Sequence, residues 1–240
     1  MTLFDAFDRR SRRSLLLKLP KRQANAWVND RLKHEAALLS RLRTRDALRM
    51  LETGELEGTR YICFEQVAAL SLDELLHNSG RLKLDQVVDL ARAAARAFAE
   101  LHAQGYVHCN ICPSNLLVYS ARMQVKLAGF ELARRREREV AVTLHTRRDD
   151  ITYLAPELLM GASSLDARVD IFGLGSTLCH ALTGRTLRIG EALPQGRSAD
   201  ARDQRLRALL SRMVRVACDE RPKGWDETIR ELATIEPPRR

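Results

Sequence analysis

The stretch His108-Cys109-Asn110-Ile111-Cys112-Pro113-Ser114-Asn115 decides the fold of this sequence. Before it, apolar residues between positions 87 and 101 recur at helical spacing, and Gly105 follows in a position that commonly ends a helix. After it, residues 115–118 and 124–127 flank a short turn, which predicts a β-hairpin. The stretch therefore connects a predicted long helix to a predicted hairpin.

This stretch resembles the protein-kinase catalytic loop, H-R-D-L-K-P-x-N. Four later stretches resemble further kinase motifs and occur in the family's order. They are Lys126-Leu127-Ala128-Gly129-Phe130-Glu131-Leu132-Ala133 for D-F-G, Tyr153-Leu154-Ala155-Pro156-Glu157 for A-P-E, Asp170-Ile171-Phe172-Gly173-Leu174-Gly175 for D-x-W-S-x-G, and Glu220-Arg221-Pro222 for the late arginine. The resemblance extends over residues 18–232 and implies an α+β, protein-kinase-like bilobal fold.

The resemblance divides the chain near residue 68. Residues 1–68 are expected to form a truncated N-lobe, with a reduced β-sheet and one helix, and residues 69–240 a mainly helical C-lobe. In the first part, residues 14–19 and 60–65 are predicted strands. A helical stripe between them consists of Val28, Leu32, Ala36, Leu39 and Leu42.

Periodicity in the second part predicts several helices. Ser71 and Glu74 fit a capping box at the start of the first one. Residues 169–182 are apolar on nearly every face, which predicts a buried central helix. Residues 206–213 and 225–232 predict two amphipathic helices near the end of the chain.

The composition is that of an ordinary globular protein. The chain has 240 residues, of which 45% are apolar and 30% charged, and this argues against a disordered tail or a coiled-coil rod. Forty Lys and Arg against 31 Asp and Glu give a net charge of +9. Because the acids are interspersed and aromatic residues are only 5%, the pattern does not favour a nucleic-acid groove. An anion-binding surface is kept as a third hypothesis.

The sequence predicts neither a membrane span nor a secretory signal. No stretch approaches the roughly 20 apolar residues of a transmembrane helix, and acidic residues occur early in the chain. The five cysteines are odd in number and lie mostly in apolar runs, which predicts reduced thiols and a cytoplasmic location. Cys109 and Cys112 form a C-x-x-C, a spacing found in redox pairs and half metal sites, but we favour two reduced thiols.

The kinase resemblance assigns nucleotide-binding positions in the first third of the chain. Lys18 corresponds to the strand lysine, and Glu35, 17 residues later, to its partner on the following helix. Phe64 corresponds to the gatekeeper, followed by the hinge Glu65-Gln66-Val67. The candidate remnants of a nucleotide site are therefore Lys18, Glu35, Glu65, Val67 and Asn115.

The sequence departs from the family where phosphoryl transfer needs its reactive groups. Asn110 replaces the catalytic aspartate, and because an amide is not basic at pH 7 this alone should cost roughly 10²–10⁴ in rate. Gly129 replaces the metal-binding aspartate, and the amide of Asn115 is a poor ligand for magnesium on its own. Residues 1–17 contain no glycine, so we expect no glycine-rich loop before Lys18. We expect no intact catalytic residue, no metal site and no cofactor beyond weakly bound ATP.

The residues that hold the kinase fold together are retained. By the resemblance, they are Leu39, His108 and Phe130 in a spine that links the lobes, Asp170 at the start of the central helix, and Glu157 with Arg221 in a buried ion pair. Breaking such an ion pair would cost about 3–5 kcal/mol. We therefore expect the chain to keep the kinase fold although it lacks the residues that perform phosphoryl transfer.

Two threonines are candidate phosphorylation sites for another kinase. Thr143 and Thr146 lie beside Arg147 and Arg148 in the region that the resemblance identifies as the activation segment. A polar loop without modification is the simpler interpretation.

These observations favour a pseudokinase that lacks phosphotransfer activity and binds a protein partner, as a scaffold or an allosteric regulator. The alternative is a Ser/Thr kinase-like, nucleotide-binding protein with residual or atypical transferase activity. In the first hypothesis the chain is not an enzyme, and the sequence does not identify the partner.

Overall fold

The computed structural model describes residues 2–20, 25–119, 122–136, 148–162, 164–196 and 200–235. Its first part is an antiparallel four-stranded sheet with the order β1-β2-β4-β3 and one helix. These elements are β1 Thr2–Asp8, β2 Arg13–Leu19, α1 Ala26–Leu39, β3 Met50–Leu56 and β4 Thr59–Glu65. The predicted combination of a small sheet with one helix is confirmed.

Register places two important side chains on the face of the sheet that α1 covers. Leu16 lies opposite Phe64, and Lys18 opposite the buried Ile62, so these side chains point to the same face. Helix α1 packs against β4 on that face. The helix ends at Leu39, and Leu42, which the helical stripe included, lies beyond it.

The second part of the chain is mainly helical. Its helices are α2 Leu72–Ser79, α3 Leu84–Ala103, α4 Pro156–Leu159, α5 Ala167–Thr183, α6 Ala201–Met213 and α7 Trp225–Ala233. Its strands are β5 Leu70–Ser71, β6 Tyr106–Val107, β7 Leu116–Tyr119, β8 Gln124–Leu127 and β9 Arg134–Arg135. The order β5-β7-β8 describes a three-stranded sheet, and β6 pairs with β9. The predicted hairpin is the antiparallel pair of β7 and β8.

The helix signals in the sequence are confirmed in the second part. The Ser71 N–H donates to Glu74 Oε2 at 2.8 Å, and the Glu74 N–H donates to Ser71 Oγ at 3.2 Å, which completes the capping box of α2. Residues 169–179 of α5 are all buried, as expected for a central helix. A Cβ at Gly175 would lie 2.6 Å from the Met213 Cβ, so the close approach of α5 and α6 requires glycine there.

Both parts share one hydrophobic core. Its buried side chains include Leu32 and Phe64 from the first part and Phe98 and Leu178 from the second. The division into lobes at residues 1–68 and 69–240 stays a prediction. Within the ranges described above, none of the helices combines the length and apolar character that crossing a bilayer requires.

Candidate functional site

The centre of the site is a buried triad of charged side chains. Lys18 Nζ on β2 donates to both carboxylate oxygens of Glu35 on α1, at 2.8 and 2.6 Å. The same ammonium donates to Glu131 Oε2 at 2.9 Å. The side chains of Lys18, Glu35 and Glu131 are only 7%, 1% and 17% exposed, so water screens their charges weakly. The structure thus brings Lys18 and Glu35 together and adds Glu131.

Burial and charge act in opposite directions on this triad. Burial disfavours the Lys18 ammonium, but the carboxylates of Glu131 and Glu35 outweigh it and raise the pKa of Lys18. Burial raises the pKa of Glu35, although the ammonium opposes that shift. Burial also disfavours the Glu131 carboxylate, yet Lys18 lowers the pKa of Glu131 to about 2. Glu131 is therefore ionised at neutral pH and, together with Glu35, surrounds the Lys18 ammonium with negative charge.

Asp170, in the first turn of α5, fixes the backbone of the stretch 108–115. Its Oδ2 accepts the N–H of His108 at 2.7 Å, and its Oδ1 accepts the N–H of Cys109 at 2.8 Å. His102 Nε2 lies 2.8 Å from Asp170 Oδ2 and completes the set of partners. Because Asp170 and its partners are buried, the central helix holds this loop in one conformation.

Asn110, Gly129 and Asn115 form hydrogen bonds among themselves. Asn110 Nδ2 donates to the Gly129 carbonyl at 3.2 Å, and Asn115 Nδ2 donates to the Asn110 carbonyl at 2.8 Å. Gly129 has a φ of +77°, and a Cβ on it would collide with the side-chain amide of Asn115. The three residues that replace or accompany the family's metal and base positions are thus linked into one neutral network.

This neutral network does not fit the magnesium ion that kinases use. Asn110 and Asn115 each offer one neutral amide oxygen, since their Nδ2 groups donate to backbone carbonyls, and Gly129 offers no side chain. The nearby carboxylate of Glu131 is held by Lys18. Over the described part of the chain, no group of three or more His, Cys, Asp and Glu side chains is placed to hold a metal ion. Magnesium prefers several hard oxygen ligands in octahedral geometry, which this network does not offer.

Two members of the triad, Lys18 and Glu131, line a cleft of about 870 Å³ between the sheet and the helical part. Val67 lines this cleft. Glu65 does not line it, because its carboxylate accepts from Lys126 Nζ at 2.6 Å and from Arg49 Nε at 3.3 Å. Of the five candidate nucleotide-site positions, the structure therefore groups the side chains of four at the triad or the cleft and directs that of Glu65 elsewhere.

A row of rings runs from the site into the helical part. The rings of His108 and Phe130 lie 4.7 Å apart between centroids. Phe98 contacts His108 edge-on at 5.7 Å and stacks on Trp225 at 5.6 Å. Burial lowers the pKa of His108, so its ring packs in the neutral form. Leu39 belongs to the same buried apolar cluster as Phe98 and Phe130.

Glu157 and Arg221 form a two-pronged ion pair. Arg221 Nη1 donates to Glu157 Oε1 at 2.7 Å, and Arg221 Nη2 donates to Glu157 Oε2 at 2.9 Å. The guanidinium also lies 4.8 Å from the centroid of the Phe172 ring. Three backbone carbonyls accept its remaining N–H groups, those of Arg168, Arg215 and Val216. This side chain therefore joins α4 and α5 to the loop before α7.

Of the smaller candidate sites, the structure describes the two cysteines of the C-x-x-C but not the two candidate phosphorylation sites. Cys109 and Cys112 are buried and form no disulfide. Burial raises the pKa of Cys109, which disfavours the reactive thiolate. Thr143 and Thr146 lie outside the described residues.

The sequence analysis missed two residues of this site. Glu131 directly follows Phe130, at the position where D-F-G has glycine, so an unexpected acid at a known motif position was the available signal. His102 gave a weaker signal, a histidine on the apolar face of α3 six residues before His108.

Known proteins with related sequences include protein kinases. Serine/threonine-protein kinase PknB of Mycobacterium leprae is 30% identical over 167 residues, which is 68% of this chain and 26% of that protein. Serine/threonine-protein kinase PknD of Mycobacterium tuberculosis is 29% identical over 184 residues, 76% of this chain and 27% of that protein. Tyrosine-protein kinase MasK of Myxococcus xanthus is 31% identical over 194 residues, 75% of this chain and 29% of that protein.

This chain spans about a quarter of the length of these curated relatives. The family model of the protein kinase domain matches residues 2–234, almost the whole chain. That match agrees with the α+β fold of the structure. The chain belongs to the protein kinase domain family.

Proposed function

We propose that this chain is a pseudokinase, a kinase domain that transfers no phosphate and acts as a protein-binding scaffold or an allosteric regulator. The observation that carries the proposal is the hydrogen bond between Asn110 and the Gly129 carbonyl, at 3.2 Å. It joins the position of the catalytic base to that of the metal ligand, and neither position has a carboxylate. Correct positioning of the reactants cannot replace the stabilisation of phosphate charge by a metal ion or the acceptance of the substrate proton by a base.

Contacts that maintain the shape of the domain support the same proposal. Arg221 keeps its pairing with Glu157, and Asp170 keeps its two backbone N–H partners. A domain that retains these buried contacts keeps a defined surface for a partner even though it performs no catalysis. A protein partner and a cytoplasmic location belong to this proposal, and a nucleic-acid partner does not.

A phosphotransfer assay tests the proposal. The purified chain is incubated with radiolabelled ATP, magnesium or manganese and generic protein substrates, beside an active Ser/Thr kinase as a positive control. We expect no incorporation above that of the Lys18→Ala variant. Incorporation by the wild-type chain that is lost in Lys18→Ala would overturn the proposal.

The scaffold role has its own experiment. Affinity purification from the native cell, followed by mass spectrometry, identifies the partner, and binding is then measured with the purified pair. A scaffold retains the partner when Lys18 is replaced by alanine, because binding does not depend on catalysis. Loss of the partner in Lys18→Ala, with the fold intact by circular dichroism, would contradict a role independent of the cleft.

A second candidate function is nucleotide binding with an atypical transfer reaction, such as nucleotidyl transfer. The pairing of Lys18 with Glu35 at 2.6 Å beside a cleft of about 870 Å³ favours it. Thermal-shift measurements with ATP, with and without magnesium or manganese, separate the two candidates. Stabilisation by ATP and metal supports the second, and no stabilisation at millimolar ATP opposes it.

A further inference from the structure

Among the residues that the structure describes, the charged side chains that line the cleft are mostly acidic. Four carboxylates and two cations of this set face it, namely Asp5, Asp73, Glu74 and Glu131 against Lys18 and Arg31. Glu35 lies behind Lys18 and adds a further carboxylate to the ammonium's surroundings. The wall of the cleft therefore disfavours an anionic ligand, most strongly where the charges are buried.

Glu131 already pairs with Lys18, the cation on which binding of a phosphate-bearing ligand would depend. In phosphoryl-transfer sites of this family, the strand lysine contacts the phosphates of the nucleotide. Here Lys18 Nζ already donates to Glu131 Oε2 at 2.9 Å and to both oxygens of Glu35. A phosphate oxygen at Lys18 would have to displace the Glu131 carboxylate and would then lie beside it.

The remaining wall of the cleft fits an uncharged ring. The side chains of Leu3, Leu16, Val67, Leu117 and Ala128 supply apolar surface around it. Apolar walls with a few placed polar groups are typical of small-molecule sites. The exposed carboxylates of Asp5 and Asp73, which also line the cleft, accept hydrogen bonds that a hydroxyl or amino group can donate.

We infer that this cleft binds phosphate-free ring compounds of the nucleoside class, neutral or cationic, and excludes nucleoside triphosphates. Glu131 is the specificity-determining residue, since it places a negative charge where phosphates would bind. The inference rests on the proposed function and deepens it: the chain would lose phosphotransfer because its own carboxylate excludes the phosphate donor, in addition to lacking a base and a metal ligand.

A series of ligands that differ only in phosphate number tests the inference. Isothermal titration calorimetry on the whole chain compares adenosine, AMP and ATP, the last with and without magnesium. We expect affinity to fall along the series, because each added phosphate adds negative charge. Equal or tighter binding of ATP than of adenosine by the wild-type chain would overturn the inference, and so would the absence of adenosine binding.

The variant Glu131→Gln removes one charge and keeps the shape of the side chain. It should raise the affinity for ATP about 10- to 100-fold and leave that for adenosine within about threefold. Asp73→Asn is the matched control, because Asp73 also lines the cleft but is exposed, and water screens its charge. A Glu131→Gln variant that binds ATP no better than the wild type would refute the assignment of Glu131.

A measurement on the wild-type chain covers the case in which Glu131→Gln does not fold. If charge rather than size excludes the phosphates, an adenosine that carries an uncharged group of similar size in place of the 5′-phosphate should bind within about threefold of adenosine, whereas AMP should bind more weakly. An equal loss of affinity for both compounds would contradict an electrostatic origin. The phosphotransfer assay separates this inference from the proposed function: tight ATP binding without transfer would overturn the inference and leave the pseudokinase proposal standing.

Discussion

Replacing Arg221 by alanine should destabilise the whole domain, and the structure allows the loss to be estimated. The Arg221 side chain is 0% exposed and Glu157 is 15% exposed, and their two N–O contacts are 2.7 and 2.9 Å. Removing the arginine leaves the Glu157 carboxylate and three backbone carbonyls without their donor. Breaking a buried pair of this kind costs about 3–5 kcal/mol.

The assay is unfolding in urea and on heating, followed by circular dichroism. For a chain of this size, about 3–5 kcal/mol corresponds to a fall in melting temperature of roughly 6–20 °C. The matched control is Arg185→Ala. Arg185 pairs with Glu191 at a similar 2.7 Å, but the two side chains are 50% and 32% exposed. We expect no measurable shift there, since exposed ion pairs contribute little.

The double variant Arg221→Ala with Glu157→Ala sharpens the test. It should be more stable than Arg221→Ala alone, because no unpaired carboxylate stays buried. The reasoning is refuted if Arg221→Ala melts within about 2 °C of Arg185→Ala. It is also refuted if adding Glu157→Ala to Arg221→Ala lowers the stability by as much again as Arg221→Ala alone. That result is expected only if the two side chains make independent contacts.

Three further predictions concern the site and a helix start. Gly129→Asp should not restore phosphate transfer and should lower the melting temperature, because its Cβ collides with Asn115; a radiolabel assay and a melting curve check this. Glu131 has a folded-state pKa of about 2 against an ordinary 4.5, so its ionised form stabilises the fold above pH 4.5. The stability difference between wild type and Glu131→Gln, measured in urea, should shrink as pH falls from 4.5 towards 2; a constant difference would contradict it. Ser71→Ala should cost about 1 kcal/mol in urea unfolding, because the Glu74 N–H loses its acceptor, whereas Ser71→Thr should cost less.

The order of short motifs was enough to predict the fold, but not every strand. The sequence patterns predicted the inner strands β2 and β4 and missed β1 and β3. The missed strands are the two edges of the sheet, where side chains such as Phe4 and Leu56 stay exposed. An edge strand buries little apolar surface, so its sequence alternates weakly between apolar and polar residues.

The site was predictable where a residue occupies a motif position, and less so where contacts join distant segments. Lys18 and Glu35 follow from the family pattern, and their contact is present. The contact of Lys18 with Glu131 joins residues 113 apart, and local periodicity carries no information about it. Glu65 sits at its motif position, but its partner Lys126 comes from the hairpin of the other part. For both Glu131 and Glu65, the position of the side chain is set by an ion pair with a lysine from a distant segment of the chain.

The two carboxylates around Lys18 also determine how this amine reacts with other chemicals. A lysine acts as a nucleophile only in its neutral form, and the raised pKa of Lys18 keeps the amine protonated. Electrophilic reagents that acylate or sulfonylate amines should therefore leave Lys18 unmodified in the folded domain. A reversible ligand is a better probe of the cleft than a reagent that must form a bond to Lys18.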